Sequence, residues 1–371
     1  MNMFMAVFQH FSALHLAFVV QLVLTVVCLG MVVVIHELGH LVVARKLGVR
    51  VERFTVGFGP EIFGWTASGI RYAVCAVPLG GMVKMAGEFQ DERANQPDEF
   101  FSQAWYRRNL IALAGPVMNY VLAFVLFAMV AGVWGILQPS SLPIVGDMIP
   151  GLPAAVAGFH ENDRILRINN GPIASWEEMA KFIHEHPDEK LKVDVERTSP
   201  DAKKPQAVSI ILTPRRDPQL GIGLIGIMPM VDKIRPGFTG SIKAASSDVK
   251  VWTLQPLKYL SSKIRRFEGP KELSGPLGIA QMVTKATREG MANVIYLIAV
   301  ISTGLGLFNL FPIPVLDGGH VLLYTIEGII RRPLSRRVMQ VANAIGLSLV
   351  LTIFLYASYQ DVLRWRLGFW K

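Results

Sequence analysis

The stretch VVVIHELGHLVVARKLG, residues 32–48, sets His36 and His40 four positions apart with Glu37 between them. On a helix the two imidazoles share one face and can reach one metal ion. Glu37 beside them is placed to take a proton from a water molecule as general base. The spelling also arises by chance, so its surroundings decide its meaning. Here they are apolar, and ionisable side chains in or next to a membrane span are costly and mark functional sites. Gly39 within the motif and Gly30 before it offer another segment a close approach.

Two histidines leave a catalytic zinc short of the third protein ligand that such sites carry beside an open position. Asp317 in NLFPIPVLDGGH is the best candidate, with Gly318 and Gly319 suited to a tight turn around a ligand. His320, one helical turn further on, is the rival; the plainer reading makes it a structural histidine. Asn309 and Asn119 are polar residues in apolar surroundings. The Asn309 amide precedes a proline break and can both donate to and accept from the backbone of an extended substrate. Asn119 stays open between a functional role and a helix–helix contact. His10, His15, His160, His184 and His186 have no partner at ligand spacing and read as surface or headgroup residues.

Four charge-free apolar runs must position these groups: about 17–35, 110–137, 291–310 and 338–359. Each is long enough to cross a bilayer as a helix, which takes roughly 20 residues. The first 44 residues contain no Lys or Arg, so the first run reads as a retained signal-anchor rather than a cleaved signal peptide. The third run continues into FPIPVL, where prolines break the helix. Irregular backbone at that depth must be buried in protein or line a wet cavity.

Basic residues orient the runs. Arg45, Lys46, Arg50 and Arg53 open the first loop, Arg107 and Arg108 close it, and Arg331, Arg332, Arg336 and Arg337 fill the loop between the last two runs. By the positive-inside rule both loops are cytoplasmic, with both termini and the 138–290 insert outside. Arg364, Arg366 and Lys371 are a weaker counter-signal. On this reading spans one and three both run inward, so His36, His40 and Asp317 arrive at the same depth from distant parts of the sequence.

Composition agrees. The chain is 51% hydrophobic and only 18% charged, against about a quarter charged in soluble domains. Its mean hydropathy is +0.39. The net charge of +9 comes without a basic–aromatic patch or nucleic-acid motif, so it reads as loop and membrane-surface charge and no nucleic-acid partner is expected. Cys28 and Cys75 make neither a disulfide framework nor a Cys-x-x-Cys box.

The expected fold is a multi-pass α-helical membrane protein with four transmembrane helices, a membrane-associated β-hairpin region and one α/β insert. Residues 1–137 hold the first two spans, the HExxH motif and a cytoplasmic hairpin region. There VERFTVGFG and GIRYAVCAVPLGGMVKM read as strands that dip into the membrane or lie on it. Residues 138–231 read as a small domain in which Ser175 caps a helix and Glu178 takes the reciprocal capping-box position. Residues 232–290 form an amphipathic connector, and 291–371 carry the last two spans with the NxxPxPxLDG motif.

These pieces resemble the site-2 intramembrane metalloproteases, especially the bacterial regulator of sigma-E protease type. The resemblance rests on HELGH at 36–40, RVERFTVGFGP at 50–60, VPLGGMVKMAG at 77–87, AGPVMN at 114–119, SGPLGIAQ at 274–281 and NLFPIPVLDGGH at 309–320. It implies that His36, His40 and Asp317 bind Zn2+, that Glu37 activates water, and that Asn309 and Pro312 belong to the substrate-binding segment. It implies cleavage of single-pass membrane proteins, such as anti-sigma factors and remnant signal peptides, within or near their spans after another protease has trimmed them. The hairpin near VPLGGMVKM would offer an edge strand to unwound substrate. The insert resembles the family's PDZ domain, whose implied role is to screen substrates by size outside the bacterial inner membrane. The Gram-negative relatives carry tandem PDZ domains, whereas 138–290 has the signal for one. The alternative is a non-proteolytic membrane scaffold or chaperone with a structural zinc, which four closing ligands would mark.

Overall fold

The computed structural model describes residues 2–88, 94–198, 205–218, 220–266 and 274–366, with side chains for all of these except 2–22, 78, 79, 365 and 366. His10, His15, Arg366 and Lys371, named above, therefore lie outside the described side chains. The chain folds into two compact units, 1–134 with 237–371, and 135–236.

In the first unit α1 (Asn2–Lys46) runs unbroken through the His-Glu-Leu-Gly-His box. The span was expected to stop near residue 35, ahead of the box; the candidate span is instead Val23–Lys46. Nothing in HELGHLVVA breaks a helix, so the helix ends only at Arg45 and Lys46, whose charges suit its C-terminal dipole. β1 (Val51–Ala67) and β2 (Ile70–Met85) follow, then α2 (Trp105–Val133). The expected simple hairpin is a four-stranded sheet made from two bent strands. Residues 53–56 pair with 81–84 on one side and with 71–74 on the other, and 63–67 pair back onto 70–74. Gly57, Gly59 and Gly80 hold positive φ at the bends, where a side chain would be strained. Phe54, Val83 and Met85 pack this sheet onto Leu41 and Ala44 of α1 and Ile111 of α2.

The second unit comprises β3 (Ile136–Pro139), β4 (Val145–Met148), α3 (Pro153–Ala157), β5 (Arg164–Ile168), β6 (Gly171–Pro172), α4 (Trp176–Glu185), β7 (Leu191–Arg197), β8 (Gln206–Leu212), β9 (Arg215–Arg216), β10 (Gly223–Leu224), β11 (Ile227–Pro229) and β12 (Val231–Ile234). Its main sheet has the order β6-β5-β7-β8. β3 pairs with β12, so the two ends of the insert zip together, and the unit is slightly wider than the expected 138–231. Ser175 caps α4 by accepting the Glu178 N–H at 3.1 Å. The Glu178 carboxylate reaches back one residue further than a capping box, accepting the Ala174 N–H at 2.8 Å. Fully buried Asp163 accepts two hydrogen bonds from Arg197, at 2.8 and 2.7 Å, and these push the guanidinium pKa up.

The rest of the first unit is α5 (Phe238–Arg265), α6 (Pro276–Glu289), α7 (Met291–Asn309), α8 (Asp317–Ile330) and α9 (Arg336–Arg366). The expected connector is thus largely two helices. α5 packs on α2 and α7, with Ala245 buried and Trp252 Nε1 donating to Tyr296 Oη at 3.0 Å. Among the described residues four helices are long and apolar enough to cross a membrane: Val23–Lys46, Trp105–Val133, Met291–Asn309 and Arg336–Arg364. Val27, Val117, Val125, Ile345 and Phe354 on their outer faces are exposed, an apolar belt unsuited to water. α2 is the hub. It presents Ala112, Ala114, Gly115 and Ala123 inward, small residues that let neighbouring helices come close. Arg108, counted above among loop charges, is buried and lies 2.7 Å from Glu327 of α8.

Candidate metal centre

α1 and α2 meet at Gly39, where a β-carbon would strike the Ala114 carbonyl. That approach brings the histidine face of α1 against α2. Gly30 makes no such contact: a β-carbon there would meet nothing within 4 Å. Next to Ala114 on α2, a β-carbon on Gly115 would overlap His40 Nε2 and crowd His36 Cε1. The glycine leaves the space that the imidazoles fill.

From the opposite end of the chain, α8 begins at Asp317, where the helix N-terminus favours a carboxylate. Gly318 and Gly319 do not form a ligand-wrapping turn. They lie in the first turn of α8, pressed against the Leu310 and Ile313 carbonyls, and so hold α8 against the proline-rich loop. Val315 in that loop takes φ +85°, strained for a β-branched residue.

His36 Nε2 lies 3.1 Å from Asp317 Oδ2, and His40 Nε2 lies 3.6 Å from Asp317 Oδ1. The two Nε2 atoms are 3.2 Å apart. Among the described residues His36, His40 and Asp317 form the group that could hold a metal ion, their ligand atoms all within 4.8 Å of one another. His320 is not part of that group; its ring stacks on Tyr324, and its Nδ1 is buried without a partner.

The surrounding bonds set which nitrogens face inward. His40 Nδ1–H donates to the Ile111 carbonyl at 2.8 Å, leaving the Nε2 lone pair free. The Asn119 amide lies 3.2 Å from His36 Nδ1, while its buried Oδ1 has no partner. An amide's O and N are assigned from its bonds, and turning Oδ1 toward the ring lets it accept Nδ1–H. Both Nε2 lone pairs and a carboxylate then converge on one point, an arrangement suited to a bound cation. Two imidazoles and a carboxylate fit zinc with an open fourth position.

Glu37 sits in the same cavity of about 570 Å3 as the three ligand atoms, Asn309 and His320. Its carboxylate accepts from the Val83 N–H, and Gly81 is close above its Cγ. Pro312 lies in the adjoining loop but not on the cavity wall.

The model of peptidase family M50, the site-2 protease family, matches residues 24–353. The chain belongs to that family. A relative from Rhizobium meliloti, provisionally named a zinc metalloprotease, is 32% identical over 92% of this chain and 95% of its own. Another provisionally named zinc metalloprotease, from Clostridium acetobutylicum, is 32% identical over 92% of this chain and 97% of its own. Metalloprotease MmpA from Caulobacter vibrioides is 31% identical over 94% of this chain and 97% of its own. A solved PDZ domain, of the SdrC-like protein from Listeria monocytogenes, matches 25% of this chain and 90% of its own at 24% identity, with a TM-score of 0.19. A superposition that low says nothing about the insert. In this M50 member the residues that sequence reasoning undervalued are Gly115 and Asn119. Their signal was there: the two stand four apart in AGPVMN, on one face of an apolar helix.

Proposed function

We propose that this M50 member, a zinc metalloprotease, is an intramembrane endopeptidase that cuts single-pass membrane proteins within or near their spans. One observation carries the reading: three ligand atoms, a carboxylate and strand residues 81–83 share one cavity in a unit built of helices fit to cross a bilayer. His36, His40 and Asp317 are the zinc ligands. Zinc bound there supplies a Lewis acid that polarises a peptide carbonyl and makes a neighbouring water more acidic.

Glu37 takes the water's proton on its carboxylate and delivers it to the leaving amine nitrogen. A helical substrate shelters its carbonyls in its own hydrogen bonds, so it must unwind before it can react. Gly81, Met82 and Val83 are paired with β1 on one side and line the cavity. An unwound segment adds there as a further strand. Asn309 bonds that segment from the cavity wall, and Pro312 keeps the adjoining loop from closing into helix.

The same reading puts the protein in the bacterial inner membrane with the zinc site toward the cytoplasm, since Arg45, Lys46, Arg331 and Arg332 flank that end. Both termini and the insert lie outside. The insert acts as a single PDZ domain that screens substrates by size, and the substrates are anti-sigma factors or remnant signal peptides already trimmed by another protease. A scaffold with structural zinc is less favoured, because His320 does not close the ligand group. The test is Glu37→Gln co-expressed with a tagged single-pass protein: the uncut form should accumulate, and undiminished cleavage would overturn the proposal.

A further inference from the structure

α9 meets this end of the first unit along one stripe. Met339 and Asn343 line the cavity, and Gly346 presses against the Pro314 carbonyl. The spacing i, i+4, i+7 puts all three on one helix face, while Val341, Ile345 and Leu347 around them are exposed.

Asn343 differs from the serines, threonine and glutamine of that helix whose bonds are local. Ser348, Thr352 and Ser358 donate to carbonyls four residues back in α9, and Gln360 donates to Tyr356 Oη. Each satisfies itself within its own helix. The Asn343 Oδ1 is buried and, among the described residues, has no hydrogen-bond partner. A membrane-spanning amide that glued two helices together would show its partner on the second helix. Asn343 shows instead an unanswered acceptor, and it is one of the residues lining the cavity with Glu37, Asn309 and Gly80–Val83.

We propose that Asn343 is a substrate-positioning residue, its side-chain oxygen accepting a main-chain N–H of the unwound segment that lies in the cavity. The amide is matched to an extended chain, because unwinding frees backbone N–H groups that have no other acceptor in an apolar setting. With Asn309 it supplies a second amide from a different span, so correct seating requires α9 to be in place. This inference rests on the endopeptidase reading.

The test uses the full-length, zinc-loaded protein in detergent with a purified single-pass substrate. Asn343→Leu should raise KM about three- to tenfold, the worth of one neutral hydrogen bond, with kcat within about twofold. Zinc content and Tm should not change, and Asn343→Gln, which keeps an amide oxygen, should recover part of the lost KM. In a Glu37→Gln background, Asn343→Cys should form a disulfide, under an added copper–phenanthroline oxidant, with cysteines placed in the substrate's unwound segment. An unchanged KM in Asn343→Leu overturns the inference, as does a fall in Tm or zinc content that accounts for the lost rate. The endopeptidase reading fails separately, by Glu37→Gln retaining full cleavage.

Discussion

The Asn119 amide stands 3.2 Å from Nδ1 of His36, and that contact decides which ring nitrogen of His36 faces Asp317. With the amide turned so that Oδ1 faces the ring, Asn119 fixes the Nδ1–H tautomer and leaves Nε2 as a ligand. Asn119→Leu keeps the volume and loses the acceptor. Removing a partner of this kind weakens metal affinity by about 10- to 100-fold. Zinc titration by competition against a chelator should show that loss with Tm of the zinc-loaded protein little changed. An unaltered zinc affinity would show that Asn119 only joins helices.

Gly115 and Gly30 are both helical glycines facing opposite expectations. At Gly115 an added methyl would overlap His40 Nε2, so Gly115→Ala must push α1 from α2 or turn the imidazole away. Overpacking of this sort costs about 1–3 kcal/mol, and here the displaced group is a zinc ligand. Gly115→Ala should lose most bound zinc and most cleavage. At Gly30 a methyl meets nothing, and alanine is favoured over glycine in a helix by about 1 kcal/mol. Gly30→Ala should keep full activity with an equal or higher Tm. Metal analysis and thermal melts of the pair check both halves.

That contrast also marks what the sequence could disclose. His36, Glu37 and His40 were legible because helical period alone puts them together. Asp317 was singled out because the expected topology set two distant segments at one depth, and it lies within 3.6 Å of both histidines. Gly39 and Gly30 look alike in sequence, and only the path of α2 separates them. Asn343 went unnoticed in its apolar run because nothing local says which face of α9 meets the cavity. The sheet was legible as strands but not as four, because residues 53–56 pair on both sides through bends at Gly57 and Gly80. Long-range packing, absent from any local pattern, made each of these choices.

Arg108 of α2 and Glu327 of α8 form an ion pair at 2.7 Å, both side chains under one-tenth exposed. The guanidinium also lies over the Tyr324 ring, 4.7 Å from its centroid, and Glu327 Oε1 accepts the Leu334 N–H at 2.8 Å. The pair therefore ties α8, whose first residue is Asp317, to the helix that carries Gly115 and Asn119. Breaking a buried pair from one side leaves a charge without a partner and costs about 3–5 kcal/mol, whereas exchanging both partners for apolar groups is often near neutral. Glu327→Ala should lower Tm steeply and weaken zinc retention, because Asp317 loses its anchor. Arg108→Met combined with Glu327→Leu should recover most of the Tm. Zinc affinity separates two roles for the pair: recovery along with Tm means that it only holds α8 in place, and failure to recover means that its geometry sets where Asp317 stands.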